Sequence, residues 1–413
     1  MPGPAPPGAA IWQRYCAAHA GLHALNVEPD SRVTRPLTLK RGSARMQVLR
    51  ESMASSLARF FGYISGERRG PLAAAVRASL SVLSAPYWAA CSTRLALYHW
   101  GLLACRELDA RVISVGNITT GGTGKTPLVV WIARWLVGRG VRAAILSRGY
   151  GEKRVPPEGG TANAGESDEM LLFRRQVPGV PHVVDGSRYA GGLRAIAEHG
   201  AECLVLDDGF QHLALGRDLD IVAVDTLLPF GYGHLLPRGL LREPLSGLRR
   251  ADIVVLTRCD LAAKGQVQDV ERQVRRWCPG RPVVESVHRP VHFCCHGTTG
   301  TRPLSWVHGR KVFAFSALGN PAAFPRTLEA LGAQVLRHEP FRDHHWYSGE
   351  DLAALARRAA EAGAEAVVTT EKDAVKIHAF PDTGPPLHAL AVELVVTRGE
   401  DLLQAALDRV VKR

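Results

Sequence analysis

The chain has 413 residues, 46% of them hydrophobic, and carries a formal net charge of +12. Such a length can bury two cores, because single cores stop growing near roughly 250 to 300 residues, so two domains are expected. The basic excess comes without a zinc-finger, helix-turn-helix or RNA-binding aromatic signature, which sets nucleic acid aside and favours an anionic lipid surface as partner.

The eight cysteines show no CxxC spacing, which points to free thiols in a reducing environment. Cys294, Cys295 and His296 are adjacent but lack the second ligand pair of a zinc site, so a loop or strand edge is expected there.

Residues 1–70 read as an extension, expected to be poorly ordered and without an assigned function. No secretory signal pattern is evident, and Met46 and Met53 leave room for a later start. Residues 71–110 contain the aromatic stretch Ser79–Cys105, interrupted by Pro86 and Arg94. Its uncharged run falls short of the roughly 20 apolar residues that span a bilayer, and Arg68, Arg69, Arg77 and Arg106 flank it. A helix lying in the membrane interface is expected, with Tyr87, Trp88, Tyr98 and Trp100 at headgroup level, although a packed core helix would have much the same composition.

From Arg111 onward, β-branched runs alternate with helical patterns. Strands are expected at Arg111–Val115, Ala143–Ser147, Cys203–Leu206, Asp220–Val224 and Asp252–Thr257, with helices at Pro127–Val137 and Arg188–His199. This is a βαβ pattern with a mainly parallel sheet, assigned to a core domain of residues 111–285. Val283–Ser305 is rich in Pro, Gly, His and Thr and is expected to join the domains. A smaller α/β domain, residues 286–413 including the linker strands, follows. Its strands are expected near Lys311–Ser316, Gln334–Arg337 and Ala364–Thr369, with helices at Pro321–Leu331 and Glu350–Ala362.

Gly121-Gly122-Thr123-Gly124-Lys125-Thr126-Pro127 lies between the first strand and an amphipathic helix, the context a P-loop requires. Its glycines let backbone N–H groups turn toward phosphate oxygens, Lys125 can bridge the β- and γ-phosphates, and Thr126 can ligate Mg²⁺. Thr119 stands where the full consensus has its first glycine. A simple helix-capping turn would need neither the lysine nor the hydroxyl after it.

Asp207-Asp208 follows the strand Cys203–Leu206, where a P-loop enzyme places the carboxylate that serves its metal. Asp168-Glu169 sits at a loop-to-helix transition, where helix capping is the plainer role. Asp343-His344-His345 lies in the second domain, where a packed or surface histidine is the plainer reading.

The ordered set VGNITTGGTGKTP, LSRGYG, ESDEM, DDGFQH, LLPRGLLREP, FSALGNP, DHH and TEKDAVK, spread over roughly residues 75–400, resembles the tetraacyldisaccharide 4'-kinase family of lipid A biosynthesis. The resemblance implies two α/β domains joined by a β linker, an N-terminal helix at the cytoplasmic face of the inner membrane, and an active site in the inter-domain cleft. It implies ATP and Mg²⁺ as donor and cofactor. The implied acceptor is the 4'-hydroxyl of the tetraacyldisaccharide 1-phosphate lipid A precursor, giving lipid IVA, with no obligatory protein partner.

By the same resemblance, Lys125 and Thr126 serve nucleotide and metal, Asp168 is the general base, and His344 is its partner, oriented by Asp343. Asp207, Asp208, Glu169 and Gln211 form the metal surroundings, while Asn117, Arg148, His212, Arg242 and Glu243 line the substrate cleft. A histidine from the second domain would complete the pair only on closure, coupling lipid capture to transfer. Met170 departs from the family pattern after Asp168-Glu169, as do Tyr232, His234, Arg238 and Leu240 in the loop before Arg242.

A P-loop GTPase switch or metallochaperone is the rival reading. Asp252–Ala262 resembles a guanine-reading strand end, with Asp260 placed for the base, but Thr257 and Arg258 replace the usual Asn-Lys pair. A nucleotide-binding module without catalysis would need the cradle alone.

Overall fold

The structure, a computed structural model, describes residues 60–149, 167–319, 323–343 and 345–412. The expectations for residues 1–59 and for His344 fall outside them.

After a short helical stretch at 60–64 comes a long helix, α1 (Pro71–His99). The P-loop part follows as β1 (Arg111–Gly116), α2 (Lys125–Val137), β2 (Ala143–Ser147), α3 (Asp168–Gln176), β3 (His182–Val184), α4 (Arg188–His199), β4 (Cys203–Asp207), β5 (Leu219–Asp225), β6 (Ile253–Thr257) and α5 (Gln266–Trp277). Then come β7 (Val283–Cys295), β8 (Thr301–Arg302), β9 (Lys311–Ser316), α6 (Ala323–Ala330), β10 (Gln334–Pro340), α7 (Gly349–Glu361), β11 (Ala366–Thr370), α8 (Glu371–Ala374), β12 (Leu387–Arg398) and α9 (Glu400–Val411).

Among the described residues one twelve-stranded sheet runs β10-β9-β11-β12-β7-β6-β5-β1-β4-β2-β3, with β8 beside β7. The order reverses around β1, whose neighbours are β4 and β5. Loops leaving the C-terminal ends of strands on either side of such a reversal leave a crevice, and the P-loop follows β1 there. The first-part strands are buried along almost their whole length, as parallel strands covered on both faces must be.

The segment expected as linker is strand β7, which pairs antiparallel with β12. Its first residues extend the P-loop part beside β6, while β12 starts beside β11. These two long strands therefore carry the sheet from one half into the other. Because β12 runs back along β7, Leu394 and Val396 reach the core that holds the P-loop helix, and Leu403, Ala406, Leu407 and Val410 of α9 join it. The last helix thus packs on the P-loop part, away from the second-half segment that precedes it. Separate clusters around Phe293, Val312 and Leu328, and around Phe313, Phe315 and Leu355, fill the two faces of the second half.

Candidate active site

Gly124 is the N-cap of α2, with φ of +80°, a left-handed conformation in which only glycine is unstrained. A Cβ there would also lie 2.8 Å from the His288 ring on β7 and 3.5 Å from the Thr257 side chain. Thr257 Oγ1 donates to the Thr123 carbonyl at 2.8 Å, so the end of β6 supports the loop from below. Gly121 and Gly122 are exposed, Thr123 is buried, and Lys125, Thr126 and Pro127 are half-buried. The loop thus offers its glycine backbone outward at a helix N-terminus, the arrangement that receives phosphate oxygens.

Lys125 Nζ donates to Asn117 Oδ1 at 3.1 Å and pairs with Asp208 Oδ1 at 3.1 Å. Asp208 also receives Arg242 Nη1, at 2.8 and 2.7 Å from its two oxygens. Burial alone would raise this carboxyl, but the Lys125 and Arg242 charges outweigh it and hold it below its ordinary range. Asp207 is 3% exposed at the end of β4. Burial, and then the charge of Glu169, push its carboxyl up to about 8, and among the described residues no ion pair closes on it.

Two crowded carboxylates beside a third are the hard oxygen set that a divalent cation takes. The residues therefore fit Mg²⁺, which Thr126, Asp207, Asp208 and Glu169 would hold with few protein ligands, and which would neutralise charge on the donor phosphates. Among the described residues no group of three or more His, Cys, Asp and Glu side chains could hold a metal ion by itself, so waters and the donor phosphates would supply the remaining ligands.

Behind the loop the geometry gives several expected cleft residues a supporting place. Asn117 is fully buried and donates from Nδ2 to the Thr119 carbonyl at 2.8 Å. Gln211 Nε2 donates to the Asn117 carbonyl at 2.7 Å and to Glu243 Oε1 at 2.8 Å. Glu243 is 3% exposed and also takes Arg250 at 2.8 Å. Asn117 and Glu243 are expected to face substrate, and Gln211 the metal; in this structure their hydrogen bonds also brace the cradle against the loop that carries Arg242. Arg148 is exposed just after β2, and His212 is held down to about 4 by burial and by Arg188.

Asp168 opens α3, one residue after Ser167, whose hydroxyl accepts from the Met170 N–H. It is 5% exposed, and its Oδ1 accepts from the Glu169 N–H at 3.1 Å. Lys372 of α8 stands 3.8 Å from Asp168 Oδ2 and 3.2 Å from Asp343 Oδ1. Lys372 lies in the TEKDAVK motif, which carries no expected site residue. A Cβ placed on Gly319, after β9, would lie 3.5 Å from Asp343 Oδ2 and 3.6 Å from the Gly122 nitrogen. The second half therefore reaches the P-loop through Gly319 and Asp168 through Lys372. His345 is engaged elsewhere, 3.1 Å from Asp351 and stacked on Phe341.

Helix α1 lies along the same loops. Ser84 donates to the Leu235 carbonyl at 3.1 Å, Tyr87 to the Arg242 carbonyl at 2.7 Å, and Arg94 to the Gln211 carbonyl at 3.0 Å. Tyr87 was expected at headgroup level; its hydroxyl instead anchors α1 to the site. Leu72, Val82, Leu83, Trp88, Trp100 and Leu102 are all more than half exposed.

The guanine-reading segment of the rival reading is built differently. Arg258 has φ of +59° and is ion-paired with Asp225, and Thr257 is committed to the P-loop.

A Walker-type cradle after β1 and aspartates ending β4, on a parallel sheet that reverses between them, define a P-loop phosphotransferase. Residues 76–412 match the family described as tetraacyldisaccharide-1-P 4'-kinase. A tetraacyldisaccharide 4'-kinase of Anaeromyxobacter sp. (strain K) is 45% identical over 352 residues, covering 83% of this chain and 93% of that protein. One from Geobacter sulfurreducens is 37% identical, covering 84% and 97%. Among solved structures, LpxK from Aquifex aeolicus in complex with ATP is 32% identical with a TM-score of 0.63, covering 81% of this chain and 99% of that one. The chain belongs to the tetraacyldisaccharide 4'-kinase family.

Proposed function

We infer that the chain transfers the γ-phosphate of ATP to the 4'-hydroxyl of a tetraacyldisaccharide 1-phosphate, with Asp168 as general base. Kinase activity, ATP as donor and the lipid A precursor as acceptor follow from family membership. The observation that supports the residue roles is the convergence of the P-loop with two carboxylate groups. Lys125 and Asp208 meet at the cradle, while Asp168 meets Lys372, which also pairs with Asp343 beside Gly319 and the Gly122 nitrogen.

In this reading the acceptor oxygen forms a bond to the γ-phosphorus while the bond to the β,γ-bridging oxygen breaks and ADP departs with its electron pair. The acceptor's proton passes to Asp168. Lys125 balances charge on the departing and transferring oxygens, and positioning supplies most of the rate because little covalent work is left to the protein. His344, implied by the family as partner of Asp168, would add a second polar group to the base.

The membrane placement is part of the same proposal. Among the described residues no helix is long and apolar enough to cross a membrane. The large apolar side chains exposed on α1 form the kind of surface that an interface covers. Docked through Ser84, Tyr87 and Arg94, the helix would bring the cytoplasmic face of the inner membrane up to the loop carrying Arg242, where a lipid acceptor arrives. The second half is proposed as a domain able to close on the first through the β7–β12 ribbon.

The test is transfer of labelled γ-phosphate from ATP to tetraacyldisaccharide 1-phosphate in detergent. Labelled bisphosphorylated lipid is expected, with GTP a poor competitor. Nucleotide binding without lipid-dependent transfer would overturn the proposal.

A further inference from the structure

We infer that Lys372 is a positioning residue for phosphoryl transfer, supplied by the second half of the sheet to hold Asp168 and Asp343 together across the junction. The inference rests on the reading of Asp168 as the base.

Asp168 has its two oxygens in different surroundings. Oδ1 accepts the Glu169 N–H at 3.1 Å, while Oδ2 faces the Lys372 ammonium at 3.8 Å. That separation is an ion-pair contact longer than a hydrogen bond, so the ammonium acts on the direction of the carboxylate through its charge. The shorter contact, 3.2 Å, goes to Asp343. One amine therefore spans a carboxylate of α3 and a carboxylate of the loop after β10. Burial opposes charge on this lysine, yet Asp343, Asp168 and Glu169 outweigh it and keep the amine protonated.

The backbone that carries Lys372 is held in place. Thr370 caps α8 by accepting the Asp373 N–H, and fully buried Asp373 accepts the Ala317 N–H at 3.0 Å and Lys376 Nζ at 2.8 Å. Ala317 and Gly319 belong to the loop that reaches Gly122 of the cradle. The same short stretch of chain thus registers Lys372 against the phosphate loop and Asp168 against Lys372. Beside it, Glu371 takes Gln176 at 2.6 Å and Arg175 at 3.1 Å, at the far end of α3. Glu371 docks α8 on the end of α3 opposite Asp168, which makes it a control for docking alone.

The experiment compares Lys372→Met, which keeps the apolar stem, with Lys372→Arg, Glu371→Gln and Asp168→Asn, measuring kcat, KM for ATP and Tm on the full chain. Lys372→Met is expected to lower kcat about 100-fold, the scale of a base misplaced by an ångström, with KM for ATP and Tm nearly unchanged. Lys372→Arg should recover part of that loss, and Glu371→Gln should stay near wild-type kcat. A Lys372→Met kcat close to wild type while Asp168→Asn is inactive would overturn the inference alone. Equal losses in Lys372→Met and Glu371→Gln would also overturn it, since docking would then explain both. Wild-type kcat in Asp168→Asn would remove the reading of the base itself. Should Lys372→Met fail to fold, Asp343→Asn tests the other end of the bridge: a lowered kcat at unchanged KM for ATP supports the bridge, and an unchanged kcat refutes it.

Discussion

The phosphate cradle and the α3–α8 junction solve different problems with similar residues. In the cradle, Lys125 finds Asn117 within the same strand–loop–helix unit and Asp208 one strand away, so one half of the molecule completes it. At the junction, Asp168 from the first half meets Lys372 from the second. The contrast teaches that the donor phosphate can be gripped by a local motif, whereas the base is set by how two distant parts of the chain dock. Damage to the cradle should therefore strike donor handling, and damage to the junction should strike transfer at unchanged donor affinity.

The largest expected effect breaks the cradle side. Lys125→Ala should slow transfer to lipid roughly 1000-fold, because the lysine acts on charge developing in the transition state. Its fold should survive, since Arg242 still pairs with Asp208; circular dichroism beside the lipid assay checks both. On the junction side, Asp168→Asn should lower kcat by roughly 100- to 1000-fold while leaving ATP affinity unchanged, measured by nucleotide titration next to kinetics. A loss of ATP binding in that variant would erase the distinction between the two regions.

A third variant sharpens the cradle's internal bracing. Glu243→Ala strips partners from Gln211 and Arg250 in a buried setting and should destabilise the protein by about 2–3 kcal/mol, read by denaturant unfolding. Smaller per pH unit is an acid effect at His288, which backs the P-loop. Burial, then Arg258, depresses its pKa to about 3 from 6.5, so the folded protein keeps it neutral where the unfolded chain binds a proton. Its contribution is intact above pH 6.5 and is lost at about 1.4 kcal/mol per pH unit as pH falls from there toward 3. His288→Asn should flatten that acid slope in thermal melts. The smallest effect concerns α1: Leu83→Ser with Trp88→Ser should weaken sedimentation with anionic phospholipid vesicles roughly tenfold, leaving detergent-phase activity near wild type.

Much of the first half was legible because parallel buried strands announce themselves as β-branched runs. Ala143–Ser147 and Arg188–His199 have the expected bounds, and Lys311–Ser316 does so in the second half. The short strand His182–Val184 and the long β12 escaped notice, the former because three residues carry no periodicity and the latter because its opening Leu-His-Ala-Leu-Ala is a continuously buried run without alternation. In the site, Gly121–Thr126 and Asp207-Asp208 were readable because a phosphate cradle needs those residue types at fixed spacing. The bracing places of Asn117, Gln211 and Glu243 were not, since burial is decided by what packs over a residue.

By itself the sequence determined a P-loop on a parallel α/β sheet and the order of the family's motifs, because strand periodicity and glycine-lysine spacing are local properties of a chain. Only the tertiary structure decided that β12 returns the last helix to the first core, that α1 anchors through Tyr87 to Arg242, and that Lys372 stands between Asp168 and Asp343. Those facts depend on which surfaces meet when two halves share one sheet, and residues far apart in sequence leave no local pattern of such a meeting.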